Sequence, residues 1–250
     1  MGGSNMNLER YKLPAWQIFC HMSALYCVYS FTATDYLISL LAYFITGCLG
    51  ITVTFHRLLT HKSYDTFNFI KQFGTIFGTL GGVGSSLGWV SIHREHHRYS
   101  DGVKDTHSPK NGWFSAFYGS VLAKPKIQYV TDLARDNFQL KIHTYYWTIN
   151  IVYALLLLMI GGVSLWMAMH VFPSFILWTT MSIVNTCGHT WGYRNYPDTR
   201  EDSRNNWFAA LVAWGEGWHN NHHGDPANHS FQVHWWEFDI TKQVIKLIKI

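Results

Sequence analysis

The sequence predicts an all-α integral membrane protein, with four transmembrane helices and a cytosolic helical cap. Three observations carry this. Charged residues make up 14 % of the 250 positions, against roughly 25 % in soluble domains, while hydrophobic residues make up 48 % and aromatics 17 %. Four apolar runs reach the roughly 17–25 residues that a span requires, the last only just. All 19 Lys and Arg lie outside those runs. The length fits a single domain over 1–250. Mean hydropathy is near zero because fifteen His and a polar cap offset the apolar runs.

The first span is read over 15–33, interrupted by Gln17 and His21, and no Ala-x-Ala-type cleavage site follows it, so it is expected to be retained. Asp35 marks a very short turn. The second span, 36–55, carries no charge. The third, 145–167, centres on the Leu-rich stretch 154–160, and a loop at 168–171 leads to the fourth, 172–188. Between them, 67–89 is apolar but holds Gly74, Gly78, Gly81, Gly82, Gly84 and Gly88. So many glycines weaken an isolated helix, yet small residues allow close packing in a membrane. One or two short interfacial or re-entrant helices are expected there.

Charge then orients the chain. Two Lys or Arg fall in 1–14, eleven in 56–144 and six after 189, whereas the loops near 34–35 and 168–171 carry none. Excess Lys and Arg mark the cytoplasmic side, which places both termini and the cap, 56–144 and 189–250, in the cytoplasm. The net charge of +4 follows from topology and membrane lipid headgroups, not from nucleic acid. Cys20, Cys27, Cys48 and Cys187 sit in apolar runs without a CxxC pair, so they read as buried, inert thiols.

Parity puts every histidine cluster on one membrane face. His93, His96 and His97, and again His219, His222 and His223, stand at i, i+3 and i+4, within about one helical turn. His56 and His61 close the second span; Asn185 and His189 close the fourth. Nine histidines exceed what one metal needs and suggest two. No thiolate cluster supports structural zinc. A carboxylate-bridged di-iron bundle needs two Glu-x-x-His pairs, and only Glu216–His219 occurs. His-Glu-x-x-His is absent, which argues against a metalloprotease. A histidine-rich pair of irons remains, and iron at a membrane surface suggests oxygen chemistry on a lipid. Arg94, Glu95 and Glu216 read as outer groups around the metals or as surface groups. His21, His107, His143, His170, His229 and His234 read as structural or surface residues.

At these residues the chain resembles the membrane fatty acid desaturases, in particular the stearoyl-CoA (delta-9 acyl) desaturase branch. The matching pieces are HRLLTH (56–61), WVSIHREHHRYSD (89–101), Asn185 to His189, and GEGWHNNHH (215–223). The resemblance implies a histidine-rich di-iron site between four spans and a cytosolic cap, with His56, His61, His93, His96, His97, His189, His219, His222 and His223 as ligands. Asn185 would hold a metal-bound water, and Trp89 would line the bend of an acyl tunnel. It implies a cis double bond placed, at the delta-9 position, in a saturated acyl chain linked to CoA or a lipid, with O2 as co-substrate. The two electrons per turnover would come from an external donor such as cytochrome b5 or ferredoxin, docked on a basic face of Arg94, Arg98, Lys104, Lys110, Lys124 and Lys126. Acyl-CoA members tend to carry a basic residue where this chain has Ser91, which leaves a lipid or another carrier open. A histidine-box hydroxylase, ketolase or alkane monooxygenase shares the chemistry, and a membrane metal transporter or metal-binding protein is the non-enzymatic alternative.

Overall fold

The computed structural model describes residues 3–250, with side chains from Tyr11 onward, so the side chains of the polar segment before Tyr11 lie outside the described residues. Among the described residues there are helices and turns and no strand. The long helix α1 (Gly3–Ser30) comes first. Thr32 and Asp35 then form a reciprocal cap that starts α2, Ala33–Thr60. From Phe44 onward α2 winds more loosely, with hydrogen bonds to the fifth residue back. Its threonines follow the same step: Thr54 Oγ1 donates to the Leu49 carbonyl and Thr60 Oγ1 to that of Phe55, each at 2.8 Å.

The glycine-rich run forms two short helices that double back against α2. In α3 (Asn68–Leu80), Gly74 faces Thr54, Gly78 faces Gly50 and Phe55, and beyond the helix Gly81 faces Thr46. That order makes α3 antiparallel to α2. A Cβ on Gly50 would overlap the Gly78 backbone, so the two helices touch along their main chains. The reversal uses Gly82 and Gly84 at φ 70° and 111°, and Gln17 of α1 donates to the Gly82 carbonyl at 2.8 Å. Ser85 then caps α4 (Ser86–Tyr99), the helix of the second histidine cluster.

α5 (Trp113–Leu122) and α6 (Asn137–Thr144) follow, and α7 (Tyr146–Trp166) starts directly after α6. The chain reverses inside α7, at Gly161–Gly162, where Gly162 takes φ 65°. Tyr153 bonds to the Met169 carbonyl at 3.3 Å, and His170 meets Asn150 at 3.2 Å, which fixes the antiparallel pairing about that turn. The loop expected at 168–171 is therefore helical, wound through Met167–Val171 into α8 (Phe172–Cys187). The run read as one span, 145–167, joins two helices across a glycine pair. Glycine is uncharged and near neutral in hydropathy, so two of them inside a strongly apolar run do not mark the break.

Among the described residues, two helices are long and apolar enough to cross a membrane, Ala33–Thr60 and the reversing Tyr146–Cys187. α1 and α7 expose Ile18, Met22, Leu25, Leu155, Met159 and Ile160, as lipid-facing helices do. The remaining helices, α9 (Trp207–Val212), α10 (His219–Gly224) and α11 (Ile240–Ile248), close over the ends of α2, α4 and α8. Cys20, Cys27 and Cys48 are buried and unpaired.

Candidate metal centre

Four elements converge at one end of the bundle: the end of α2, the end of α4, the turn after α8, and α10. The loose winding of α2 decides the first pair. His56 and His61 are five residues apart, which separates them on an α-helix. In this stretch the His61 amide bonds to the His56 carbonyl at 3.2 Å, so five residues close one turn and both rings face the same way.

The nine histidines fall into two groups with ring nitrogens within 4.8 Å of one another: His56, His61, His93, His97 and His222, and His96, His189, His219 and His223. Each HisxxHisHis triplet is split between them. On α4 the i, i+4 pair His93 and His97 joins the first group, and His96 turns to the second. On α10 the split is reversed: His219 and His223 join the second group, and His222 the first. The groups are adjacent, with the His97 and His223 rings stacked at 4.4 Å.

Carboxylates stand behind these rings. His56 Nδ1 meets Glu216, His96 Nδ1 meets Asp105 at 2.9 Å, His189 Nδ1 meets Asp101 at 3.1 Å, and His223 Nδ1 faces Glu201 at 3.4 Å. A carboxylate at Nδ1 places the proton there and leaves the Nε2 lone pair free for a metal. Nε2 atoms then meet within each group: His56–His222 at 3.1 Å, His93–His97 at 3.1 Å and His97–His222 at 2.9 Å in the first, and His189–His219 at 3.0 Å in the second. Nitrogens bound at about 2.1 Å and at right angles lie about 3.0 Å apart, against about 3.4 Å at tetrahedral angles. The buried Nε2 atoms of His61 and His223 have no hydrogen-bond partner. A buried polar atom left so costs about 1–3 kcal/mol, and a cation within each group satisfies both. The residues present therefore fit two metal ions with all-nitrogen donor sets.

Burial pushes His61, His93, His97, His219, His222 and His223 well below the usual histidine value, and their neighbouring imidazoles add to it. Neutral rings are what a metal needs. Burial alone would raise the Asp105 carboxyl, but His96 and backbone donors hold it down at about 2.

The charged residues inside the boxes act as clamps. Arg57 is fully buried; it bonds Glu216 at 2.9 Å and Asp239 at 2.7 Å and lies 3.6 Å from the Phe231 ring centre. Arg94 binds the Leu59 and Thr60 carbonyls and Asp132, tying α4 to the end of α2. Glu95 is buried and pairs with Lys126. On α10, Asn220 and Asn221 bond Tyr196, Ser203 and Phe231, which sets the helix rotation.

Two cavities flank the first group. An inner one of about 50 Å³ is lined by His56, Ile51, Leu177, Trp214 and Tyr43; an outer one of about 780 Å³ runs past Val83, Ile92, Val121 and Trp178. Trp89, His93, Met181 and Asn185 line both, so they form the neck between them. Trp89 stacks on His93 at 4.9 Å.

Residues 34–247 match the family model described as fatty acid desaturase. The chain belongs to the fatty acid desaturase family. It is 36 % identical over 218 residues to an sn-1 stearoyl-lipid 9-desaturase of Anabaena variabilis, covering 85 % of this chain and 80 % of that one. A protein of the same description from Synechocystis sp. is 31 % identical over 95 % of this chain and 78 % of its own. An icosanoyl-CoA 5-desaturase of Limnanthes douglasii is 35 % identical over 82 % of this chain and 60 % of its own. This desaturase is thus a membrane-associated oxidoreductase acting on fatty acyl chains, in a family that uses iron.

All nine expected histidines meet here, with Asn185 and Trp89 at the neck. The backing carboxylates Asp101, Asp105 and Glu201 escaped the sequence reading. The available signal was faint: two aspartates four residues apart, just after the second box. His107, expected to be structural or surface, is buried, stacks on His96 at 4.3 Å and groups with His96 and Asp105; burial pushes it down to about 3. On the expected basic face, Arg94, Lys110 and Lys126 are held in ion pairs with Asp132, Asp202 and Glu95.

Proposed function

We propose that this desaturase introduces a cis double bond at the delta-9 position of a saturated acyl chain, using O2 and a di-iron centre. The observation that carries this reading is the pair of histidine groups beside the neck that joins two largely apolar cavities. A saturated chain has no polar handle near its middle, so one methylene pair must be selected by depth and bend. Trp89 and Met181 narrow the path and turn the chain past His93. Tyr43 and Trp214 close the far end. The apolar walls exclude water from the reacting carbons.

The first iron would be held by His56, His61, His93, His97 and His222, and the second by His96, His189, His219 and His223, with Asn185 holding a metal-bound water. Iron held there would supply O2 activation, the two hydrogens removed leaving in water together with two electrons from the external donor and two protons. Glu216, Asp101 and Asp105 keep the Nδ1 protons of His56, His189 and His96 in place, so each Nε2 stays a donor through turnover.

Electrons come from an external carrier such as cytochrome b5 or ferredoxin. A cavity of about 810 Å³ away from the acyl path is reached by His97 and His223 from the two groups, and Arg98, Arg200, Asp198 and Glu201 line it. Four spans, with both termini and the metal site on the cytoplasmic side, accord with the Lys and Arg distribution.

The test is expression in a host lacking the activity, with total fatty acids profiled by mass spectrometry. New cis-monounsaturated chains, absent in a His97→Ala control, are the expected result. A product heavier by one oxygen would make the protein a hydroxylase, and an unchanged profile would remove the reading.

A further inference from the structure

We propose that the substrate is a two-chain glycerolipid that stays in the bilayer, with its reactive chain in the cavity beside Trp89 and its second chain in a groove between α1 and α7. This rests on the desaturase reading and names the acyl carrier.

The groove, about 220 Å³, is lined by Trp16, Ile151, Ala154, Leu155 and Trp166. It opens to lipid, since Ile151 and Leu155 are 56 % and 53 % exposed. It adjoins the acyl cavity, because Tyr146 and Trp147 line both. Two chains esterified to one glycerol at that junction would enter the two spaces side by side. A carrier with a single chain leaves the groove to unrelated lipid.

The polar groups at the junction suit esters better than a nucleotide. Ser85 and His143, 2.6 Å apart, and Thr144 line the cavity there. Among the described residues, Lys124 is the one lining side chain with a fixed charge. Coenzyme A carries several phosphate charges, which one lysine does not balance. Ser91 holds no place for another cation: it is fully buried, donates to the Lys126 carbonyl at 2.9 Å and accepts from the Lys126 amide at 2.6 Å.

Moving a tail from bilayer to groove gains little hydrophobic energy, since both are hydrocarbon. The gain is tethering: the seated second chain raises the local concentration of the reactive one.

The experiment uses the full-length, iron-loaded protein with a reductant, in vesicles of fully unsaturated lipid. Three substrates carry the same stearoyl chain: a phosphatidylglycerol with one stearoyl and one oleoyl chain, its stearoyl lyso form, and stearoyl-CoA. The diacyl lipid is expected to exceed both others in kcat/KM by about ten-fold or more. Ala154→Trp, which fills the groove, should remove that advantage while leaving turnover of the lyso form unchanged, and that turnover reports folding. Leu155→Trp repeats the test if the first variant fails to fold. Equal or faster turnover of stearoyl-CoA or the lyso lipid would overturn the proposal and leave the desaturase reading standing. So would a diacyl advantage that survives both variants. No product from any of the three would remove the desaturase reading itself, and this proposal with it.

Discussion

Asp105→Asn should release one metal and spare the other. Asp105 is buried and accepts four hydrogen bonds: from His96 Nδ1 at 2.9 and 3.0 Å, from the Asp101 amide at 2.9 Å and from the His107 amide at 3.1 Å. An amide keeps one oxygen. Its NH2 must then face either the Asp101 or the His107 amide, donor against donor, at a cost of about 1–3 kcal/mol. His96 also loses the charge that keeps its proton on Nδ1. Loss of such a backing group typically weakens metal binding 10–100-fold, about 1.4–2.8 kcal/mol. His96 belongs to the second histidine group, whereas His56 of the first is backed by Glu216. Iron measured by mass spectrometry after competition with a graded chelator should therefore fall from about two per chain to about one. Glu216→Gln should weaken the other iron, so the two variants should release different ions, distinguishable by spectroscopy. Equal loss of both irons in Asp105→Asn, with an unchanged melting temperature, would refute the assignment of separate groups.

Arg57→Ala should destabilise the protein by about 3–5 kcal/mol, because Glu216 and Asp239 are left buried without their cation; a lower melting temperature in detergent checks this, and an unchanged one denies Arg57 its role as clamp. Gly50→Ala should cost about 1–3 kcal/mol, since its Cβ meets the Gly78 backbone and α3 must shift; a tolerated Gly50→Leu would show that the two helices do not meet there. Burial depresses the values of His61, His93, His97, His219, His222 and His223. Such rings stay neutral as pH falls past the ordinary histidine value near 6.5, and protonation competes only at lower pH. Iron content after dialysis should thus be flat from about pH 7.5 to about pH 5.5, and a loss centred near pH 6.5 would contradict the buried, neutral site.

Much of this was legible in the sequence because the carriers are local. Apolar runs announce helices, and His93, His96 and His97 share a turn wherever α4 lies. The count of nine histidines suggested two metals before any geometry. Distribution was another matter. Whether a triplet serves one metal depends on what faces it, and here His96 meets His189, His219 and His223, whereas His93 and His97 meet His56, His61 and His222.

Spacing misleads where the backbone departs from regular winding. The step from His56 to His61 separates them on an α-helix, yet the looser coil of α2 aligns them, and nothing in HRLLTH states that winding. The Gly161–Gly162 reversal stayed hidden inside an apolar run for a similar reason: hydropathy counts side chains, and a turn is a property of φ. Asp101, Asp105 and Glu201 were invisible as partners because a hydrogen bond to a ring is made across the fold, not along the chain. The sequence by itself determined the chemistry, histidine nitrogen at a membrane face. Tertiary structure alone decided its arrangement into two groups, the carboxylates behind each, and the neck at Trp89, since these depend on the directions from which α2, α4, α8 and α10 meet.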